Sequence, residues 1–233
     1  MTVLILILLV SIVTIFGAIY ARRRNSPDGL VALYVIFCAM SQILAAKIAL
    51  FDFGFISVTA PAAVLIFAVT FLITDIVNEK FGRAATHRMI FVTLATQIAL
   101  VLFVWMASTG LPPAPFWKGQ DAWDSVFGLI PRIVFASWVT FLISENLDAW
   151  LFDVFFQWTK GKHLWARNAF STIPSLTVDT LLFVTLAFAG TDIPLGPVMI
   201  GQFVAKYVVA IINIPFMYIN RMFLGETRTL NAN

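Results

Sequence analysis

Residues 65–83 read "LIFAVTFLITDIVNEKFGR", an apolar run that ends in acidic, amide and basic side chains. A helix that is apolar all round is buried in a large core or in a membrane. Asp75, Asn78 and Glu79 therefore either mark where a membrane helix meets water or belong to a polar site inside a membrane protein. We interpret Asp75 as facing a polar interior and Glu79 as lying at the inner surface. An alternative role for Asp75 is to orient the basic segment 80–88.

The composition is that of a membrane protein. Of 233 residues, 61% are hydrophobic and 12% are charged, whereas a soluble domain carries about 25% charged residues. A soluble protein of this size could not keep so much apolar surface from water. We therefore predict a multi-pass protein of the cell membrane that contacts the lipid bilayer and no nucleic acid. The one cysteine, Cys38, excludes a disulfide framework.

Seven stretches of the chain are apolar enough to cross a bilayer, which takes about 20 residues in a helix. They are residues 2–21, 29–50, 60–79, 86–108, 126–156, 168–190 and 196–220. The sequence thus predicts an all-α membrane protein with about seven transmembrane helices.

Basic residues are distributed unevenly between the connecting loops. Four loops on one side of the membrane hold 11 of the 15 lysines and arginines, and the loops on the other side hold only Lys118. The four basic loops are residues 22–28, 80–88, 157–167 and 221–233. Because cytoplasmic loops collect Lys and Arg, we predict the N-terminus outside and the C-terminus inside. The outer loop 109–125, rich in Pro and Trp, is either an interfacial connector or a lid.

Polar side chains recur at helical spacing inside four of the predicted spans. Residues three, four and seven apart share a helix face. The stripes are Thr70, Thr74 and Asn78; Ser137, Thr140, Ser144 and Asp148; Asn168, Ser171, Thr172, Ser175 and Asp179; and Gln202, Lys206, Asn213 and Asn220. They predict a shared polar interior, with Asp75 and Glu145 at its edge. Alternatively, these side chains only join helices by hydrogen bonds, and a buried Asp179–Lys206 pair is one form of that structural role.

Several kinds of chemistry leave no signal in the sequence. There is no G-x-S-x-G nucleophile motif, no H-E-x-x-H zinc motif and no Walker A loop. The two histidines, His87 and His163, fall in predicted loops and are too few for a convincing metal site. We therefore predict a protein that is not an enzyme, with no catalytic residue, no metal and no cofactor.

Five segments carry recognisable motifs. They are "ILAAKIALF" (43–51), "FAVTFLITDIVNEKFGRAATHRMIF" (67–91), "LISENLDAWLFD" (142–153), "RNAFSTIPSLTVDTLLFVTLAFAG" (167–190) and "IGQFVAKYVVAIINIPFMY" (200–218). In this order they resemble the queuosine precursor transporter family (YhhQ/VUT type). The resemblance implies uptake of 7-cyano-7-deazaguanine or 7-aminomethyl-7-deazaguanine, small purine-like precursors of a modified tRNA base, often by a homodimer.

The resemblance also implies a fold similar to the substrate-binding subunits of energy-coupling-factor vitamin transporters. It divides the chain into an extra N-terminal helix with its basic loop at 1–28, a six-helix core at 29–221 and a cytoplasmic tail at 222–233. The alternative function it implies is that of a membrane-embedded binding subunit of such a vitamin or nucleobase importer. Ala45 and Ala49, four residues apart, resemble the small-residue docking surface of those subunits.

The candidate substrate-binding residues follow from the chemistry of a deazaguanine. A carboxylate accepts two adjacent ring N–H donors, amides contact the ring carbonyl, and aromatic rings stack on the base. We expect Asp179 or Glu145 to be that carboxylate. The full set of candidates is Asp179, Glu145, Asn168, Ser175, Gln202, Lys206, Asn213, Asp75, Thr74 and Asp148, with Phe67, Phe71 and Phe183 as stacking partners.

Overall fold

The chain folds as a mostly helical bundle in the computed structural model. The model describes residues 2–45, 47–52, 54, 57–127, 131–160, 162–190 and 194–224. The helices in these ranges are α1 (Thr2–Arg24), α2 (Asp28–Leu44), α3 (Val64–Phe81), α4 (Arg83–Gly110), α5 (Gln120–Phe127), α6 (Pro131–Trp158), α7 (Leu164–Phe188) and α8 (Leu195–Leu224). Each helix except the short α5 overlaps one of the seven predicted stretches, whereas residues 48–50 and 60–61 of those stretches lie in strands.

Three of the described helices, α4, α7 and α8, are long and apolar enough to cross a membrane, and α2 is a shorter apolar helix. The outward face of α4 is strongly apolar: Leu102, Phe103, Trp105 and Met106 are each more than half exposed. An exposed apolar surface of this kind is stable against lipid but not against water. The predicted location in a membrane is thus confirmed for these helices.

Helix α3, which contains most of the stretch 65–83, lies at the centre of the bundle. Its side chains from residue 69 to residue 79 are all buried, and it packs against α1, α2, α4, α6 and α8. It ends at Gly82, whose φ of 79° is readily adopted by glycine. The chain reverses at this residue, and α4 begins directly after it.

The all-α prediction is wrong at one place. Strands β1 (Ile48–Asp52) and β2 (Ser57–Pro61) pair antiparallel, from Ile48 opposite Pro61 to Asp52 opposite Ser57. The predicted second span therefore ends at residue 44 rather than 50, and Lys47, predicted inside it, is exposed ahead of β1. A short apolar run such as 48–51 fits either a helix end or a strand, because periodicity alone does not separate the two.

The hairpin formed by β1 and β2 rests on helix α8 at Gly201. A Cβ atom built at Gly201 would lie 2.4 Å from the carbonyl oxygen of Thr59, a backbone atom that cannot rotate away. Gly201 is therefore required for this close approach.

Gly201→Ala is expected to destabilise the protein by about 1–3 kcal/mol, the usual cost of overpacking. Thermal unfolding in mild detergent measures it. Gly196→Ala on the same helix is the matched control, since nothing lies within 4 Å of the Cβ atom it adds. Equal unfolding temperatures for the two variants would show that the hairpin does not dock on α8.

Candidate functional site

A cavity of about 60 Å³ lies between the hairpin and helices α2, α3, α6, α7 and α8. Five of the predicted site residues line it: Asp179, Lys206, Gln202, Phe67 and Phe183. Four further polar residues line it as well: Ser41, Gln42, Ser137 and Thr140. Side chains from five helices thus meet in one polar cavity inside the bundle.

An ion pair between Asp179 and Lys206 forms the most polar part of the cavity wall. The Lys206 ammonium donates to Asp179 Oδ2 and, at 3.3 Å, to the Thr180 hydroxyl. Ser144 donates to Asp179 Oδ1 at 3.2 Å. Both members of the pair are 4% exposed. Because a carboxylate offers about four acceptor positions, Asp179 keeps acceptor capacity toward the cavity.

Aromatic rings form the apolar part of the wall. The Phe67 ring centroid lies 5.8 Å from the Lys206 ammonium, a distance at which a cation is attracted to the ring face. Phe71 meets Phe67 edge-to-face at 5.9 Å but does not itself line the cavity. Phe183 lines the cavity from α7. The cavity therefore presents charge and aromatic surface side by side, as a planar polar heterocycle requires.

Deeper in the bundle, Glu145 is held by two hydroxyls of α3. Thr70 donates to Glu145 Oε1 at 2.9 Å, and Thr74 donates to Oε2 at 2.7 Å. Glu145 is fully buried and is not among the residues that line the cavity. Of the two carboxylates expected to meet the substrate, the structure places Asp179 at the cavity and Glu145 behind it.

A second polar cluster, which we call the inner cluster, lies toward the residue-164 end of α7. It consists of Asp75, Asp148, Asn168, Ser171 and Thr172. The Asn168 amide donates to Asp75 Oδ2, and the Ser171 hydroxyl lies 3.4 Å from Asp75 Oδ1. All five residues are buried. Three residues predicted to contact the substrate, Asp75, Asp148 and Asn168, thus lie together in this cluster and do not line the cavity.

The chain matches a known family of membrane transporters. A family model described as "Putative vitamin uptake transporter" matches residues 61–220 of the chain. The chain belongs to this family of transporters. The match lies within the predicted core 29–221 and includes every cavity residue contributed by α3, α6, α7 and α8.

A curated relative is similar to more than half of this transporter. It is the "Probable queuosine precursor transporter" of Bacillus subtilis (strain 168), 29% identical over 164 residues, which cover 69% of this chain and 71% of that protein. No solved structure matches the chain significantly. The family and the apolar helices together establish a multi-pass transporter of the cell membrane.

Besides Glu145, Thr74 and Phe71, two further predicted site residues of the transporter lie outside the cavity lining and the inner cluster. Ser175 donates its hydroxyl to the Ser171 carbonyl one turn earlier on the same helix, at 2.8 Å. Asn213 is buried on α8, and its amide oxygen has no hydrogen-bond partner among the described residues. Neither residue lines the cavity.

The α2 side of the cavity was missed by the sequence prediction. The Gln42 amide donates to Gln97 at 2.6 Å and lies 3.3 Å from the Ser137 hydroxyl. Thr140 has a buried hydroxyl with no hydrogen-bond partner among the described residues. The only sequence signal was a glutamine within an apolar span, which by itself does not distinguish a ligand contact from a helix–helix hydrogen bond.

Glu79, predicted at the inner surface of the membrane, is buried between the helices of the bundle. It is 1% exposed, and its two carboxylate oxygens accept hydrogen bonds from the two terminal guanidinium nitrogens of Arg167. The guanidinium also packs over the Phe152 and Phe156 rings, at 5.2 and 4.8 Å from their centroids. Arg221, which is partly exposed, approaches Glu79 at 3.5 Å. Asp75, in contrast, faces the polar interior as predicted.

The small-residue docking surface implied by the resemblance does not form on one helix. Ala45 follows the end of α2 and lines the cavity, whereas Ala49 lies in β1. The helical spacing of these two alanines is therefore lost.

Proposed function

We propose that this transporter carries queuosine precursors, 7-cyano-7-deazaguanine and 7-aminomethyl-7-deazaguanine, into the cytoplasm through the cavity at Asp179 and Lys206. The observation that carries the proposal is a buried carboxylate and ammonium beside an aromatic wall. The guanine-type edge of these bases offers adjacent N–H donors, which Asp179 accepts, and a ring carbonyl, which Lys206 or Gln202 satisfies. The name of the Bacillus subtilis relative supports the same class of substrate.

Substrate entry requires the cavity to widen. Ligand pockets commonly measure about 300–1,000 Å³, whereas this cavity measures about 60 Å³, room for a few water molecules. The hairpin contributes Pro61 to the wall and is joined to the helices at its two ends. We infer that displacement of the hairpin from α8 opens the cavity to the outer side.

The proposed arrangement in the membrane has seven spans, namely α1 to α4 and α6 to α8, with the N-terminus outside and the C-terminus inside. The bias of basic residues toward four loops supports it. A six-helix core at 29–221 after an extra helix, a tail at 222–233 and a homodimer remain predictions. Reporter fusions that are active only in the cytoplasm should be active after residue 24 and inactive after residue 110.

Uptake in cells tests the proposed function. A strain that cannot synthesise deazaguanines and lacks its own transporter should regain queuosine in its tRNA when it expresses this chain and is given 7-cyano-7-deazaguanine. Mass spectrometry of digested tRNA measures the product. Expressed protein in the membrane without queuosine in tRNA, with either precursor supplied, would contradict the proposal.

Reconstitution separates a self-sufficient transporter from a binding subunit that needs an energy-coupling module. Purified protein alone in liposomes should exchange external labelled 7-cyano-7-deazaguanine for internal unlabelled base. Binding of the base without any exchange would favour the binding subunit.

A further inference from the structure

The inner cluster contains a pair of acids that the proposed substrate site does not use. Asp75 on α3 and Asp148 on α6 are both fully buried, and they face the same two hydroxyls of α7, those of Ser171 and Thr172. These hydroxyls lie near Asp148, but among the described residues neither carboxylate oxygen of Asp148 has a hydrogen bond of normal geometry. A buried carboxylate with such weak donors is costly, so an additional partner is expected at this position.

The charges around the pair make two ionised carboxylates unfavourable. The ionisable groups that face Asp148 are the acids Asp75 and Glu145. Those that face Asp75 are Arg167, Glu145 and Glu79, and Arg167 is already engaged by Glu79 through two hydrogen bonds. Two neighbouring carboxylates in such surroundings are stabilised when they share one proton.

We propose that Asp75 and Asp148 share one exchangeable proton and that its movement drives substrate uptake. A proton needs no coordination shell, whereas a sodium ion needs several oxygen ligands and space, and the cavity does not extend to this pair. The coupling part of this inference rests on the proposed function.

Helix α6 connects the proton site to the substrate cavity. At the cavity, Ser144 donates a hydrogen bond to Asp179, and the next residue, Glu145, accepts one from Thr74 of α3. Asp148 lies four residues after Ser144, which is about 6 Å along the axis of α6. Chains of buried acids of this kind are typical of proton relays in transporters. In each cycle a proton passes from water in the cavity by way of Glu145 to the pair, and the pair releases a proton to cytoplasmic water, so its protonation is restored.

Infrared difference spectroscopy tests the shared proton without any substrate. The purified protein should show the carbonyl stretch of a protonated carboxylic acid, shifted in deuterium oxide. This band should persist in Glu145→Gln, which removes the neighbouring buried acid, and should be lost in Asp148→Asn. Asp75→Asn serves as a second variant if Asp148→Asn does not purify as a folded protein. The absence of this band from the wild-type protein over the physiological pH range would overturn the inference.

Liposome uptake of labelled 7-cyano-7-deazaguanine tests the coupling. With the membrane potential held at zero by potassium and valinomycin, one pH unit, acidic outside, should raise accumulation about tenfold if one proton moves with each substrate. The ratio of accumulation with the pH gradient to accumulation without it should fall to one in Asp148→Asn. It should be kept in Asp153→Asn, which replaces a partly exposed acid on the same helix that is bonded to Gln157.

The outcomes separate this inference from the proposed function. Stimulation by a sodium gradient in place of a pH gradient would overturn proton coupling. An unchanged ratio in Asp148→Asn would overturn the role of the acid pair in that coupling. Deazaguanine transport stands in both cases. An infrared band that is lost in Asp148→Asn, together with no deazaguanine exchange by the wild-type protein, would support the shared proton and refute the proposed substrate.

Discussion

Asp179→Asn should reduce uptake of 7-cyano-7-deazaguanine by at least about thirtyfold. The substitution keeps the shape of the side chain but removes the charge that faces both Lys206 and, in the proposed complex, the ring N–H groups. Loss of one partner of a buried, hydrogen-bonded charge pair costs about 2–5 kcal/mol, and 2 kcal/mol corresponds to about thirtyfold in affinity. Initial uptake rates in liposomes at equal protein incorporation measure the effect.

A double variant distinguishes substrate binding from a purely structural ion pair. In Asp179→Asn the ammonium of Lys206 remains buried without its partner carboxylate, which by itself lowers the stability of the folded protein. Asp179→Asn combined with Lys206→Gln removes both charges and should recover thermal stability without recovering uptake. Recovery of both properties would show that the pair only holds α7 and α8 together, which is the structural role left open by the sequence.

Glu79→Gln should produce the largest loss of stability, about 3–5 kcal/mol. Glu79 and Arg167 are respectively 1% and 0% exposed at the side chain, so water does not compensate for the lost charge. The variant should unfold at a markedly lower temperature in detergent, as followed by size-exclusion chromatography after heating.

Arg221 provides the matched control for this pair. It approaches the same carboxylate at 3.5 Å, but 37% of its side chain is exposed, and exposed pairs contribute about 0–1 kcal/mol. Arg221→Gln should therefore unfold close to the wild-type temperature. Glu79→Gln together with Arg167→Gln removes both buried charges and should regain part of the stability. Similar unfolding temperatures for Glu79→Gln and Arg221→Gln would contradict the structural role of the buried pair.

The helices and the polar faces of the bundle could be predicted from the sequence. Long apolar runs determine where helices form, and the 3.6-residue period places side chains such as Gln202, Lys206 and Asn213 on one face of α8. The family resemblance is confirmed. The same reasoning could not decide which polar residues meet, because helix rotation and depth depend on packing partners far away in the chain. Asp179 thus lines the cavity, whereas Asp75 and Asn168 belong to the inner cluster.

Other features could not be predicted from one sequence. The first strand of the hairpin, β1, is largely apolar, and its sequence is equally compatible with the end of a helix. The sequence predicts Arg167 in a basic loop because it precedes an apolar run. In the structure it is buried inside the bundle, where it pairs with Glu79, 88 positions away in the chain. Gln42 was missed because its partners, Gln97 and Ser137, come from α4 and α6.

The central claim is that substrate binds where Asp179 and Lys206 meet, and a structure determined with 7-aminomethyl-7-deazaguanine tests it most directly. The predicted result is density for the flat ring against Phe67 or Phe183, with ring nitrogens about 3 Å from the Asp179 carboxylate. Density for the base at another site, with the Asp179–Lys206 cavity still narrow at saturating ligand, would contradict it.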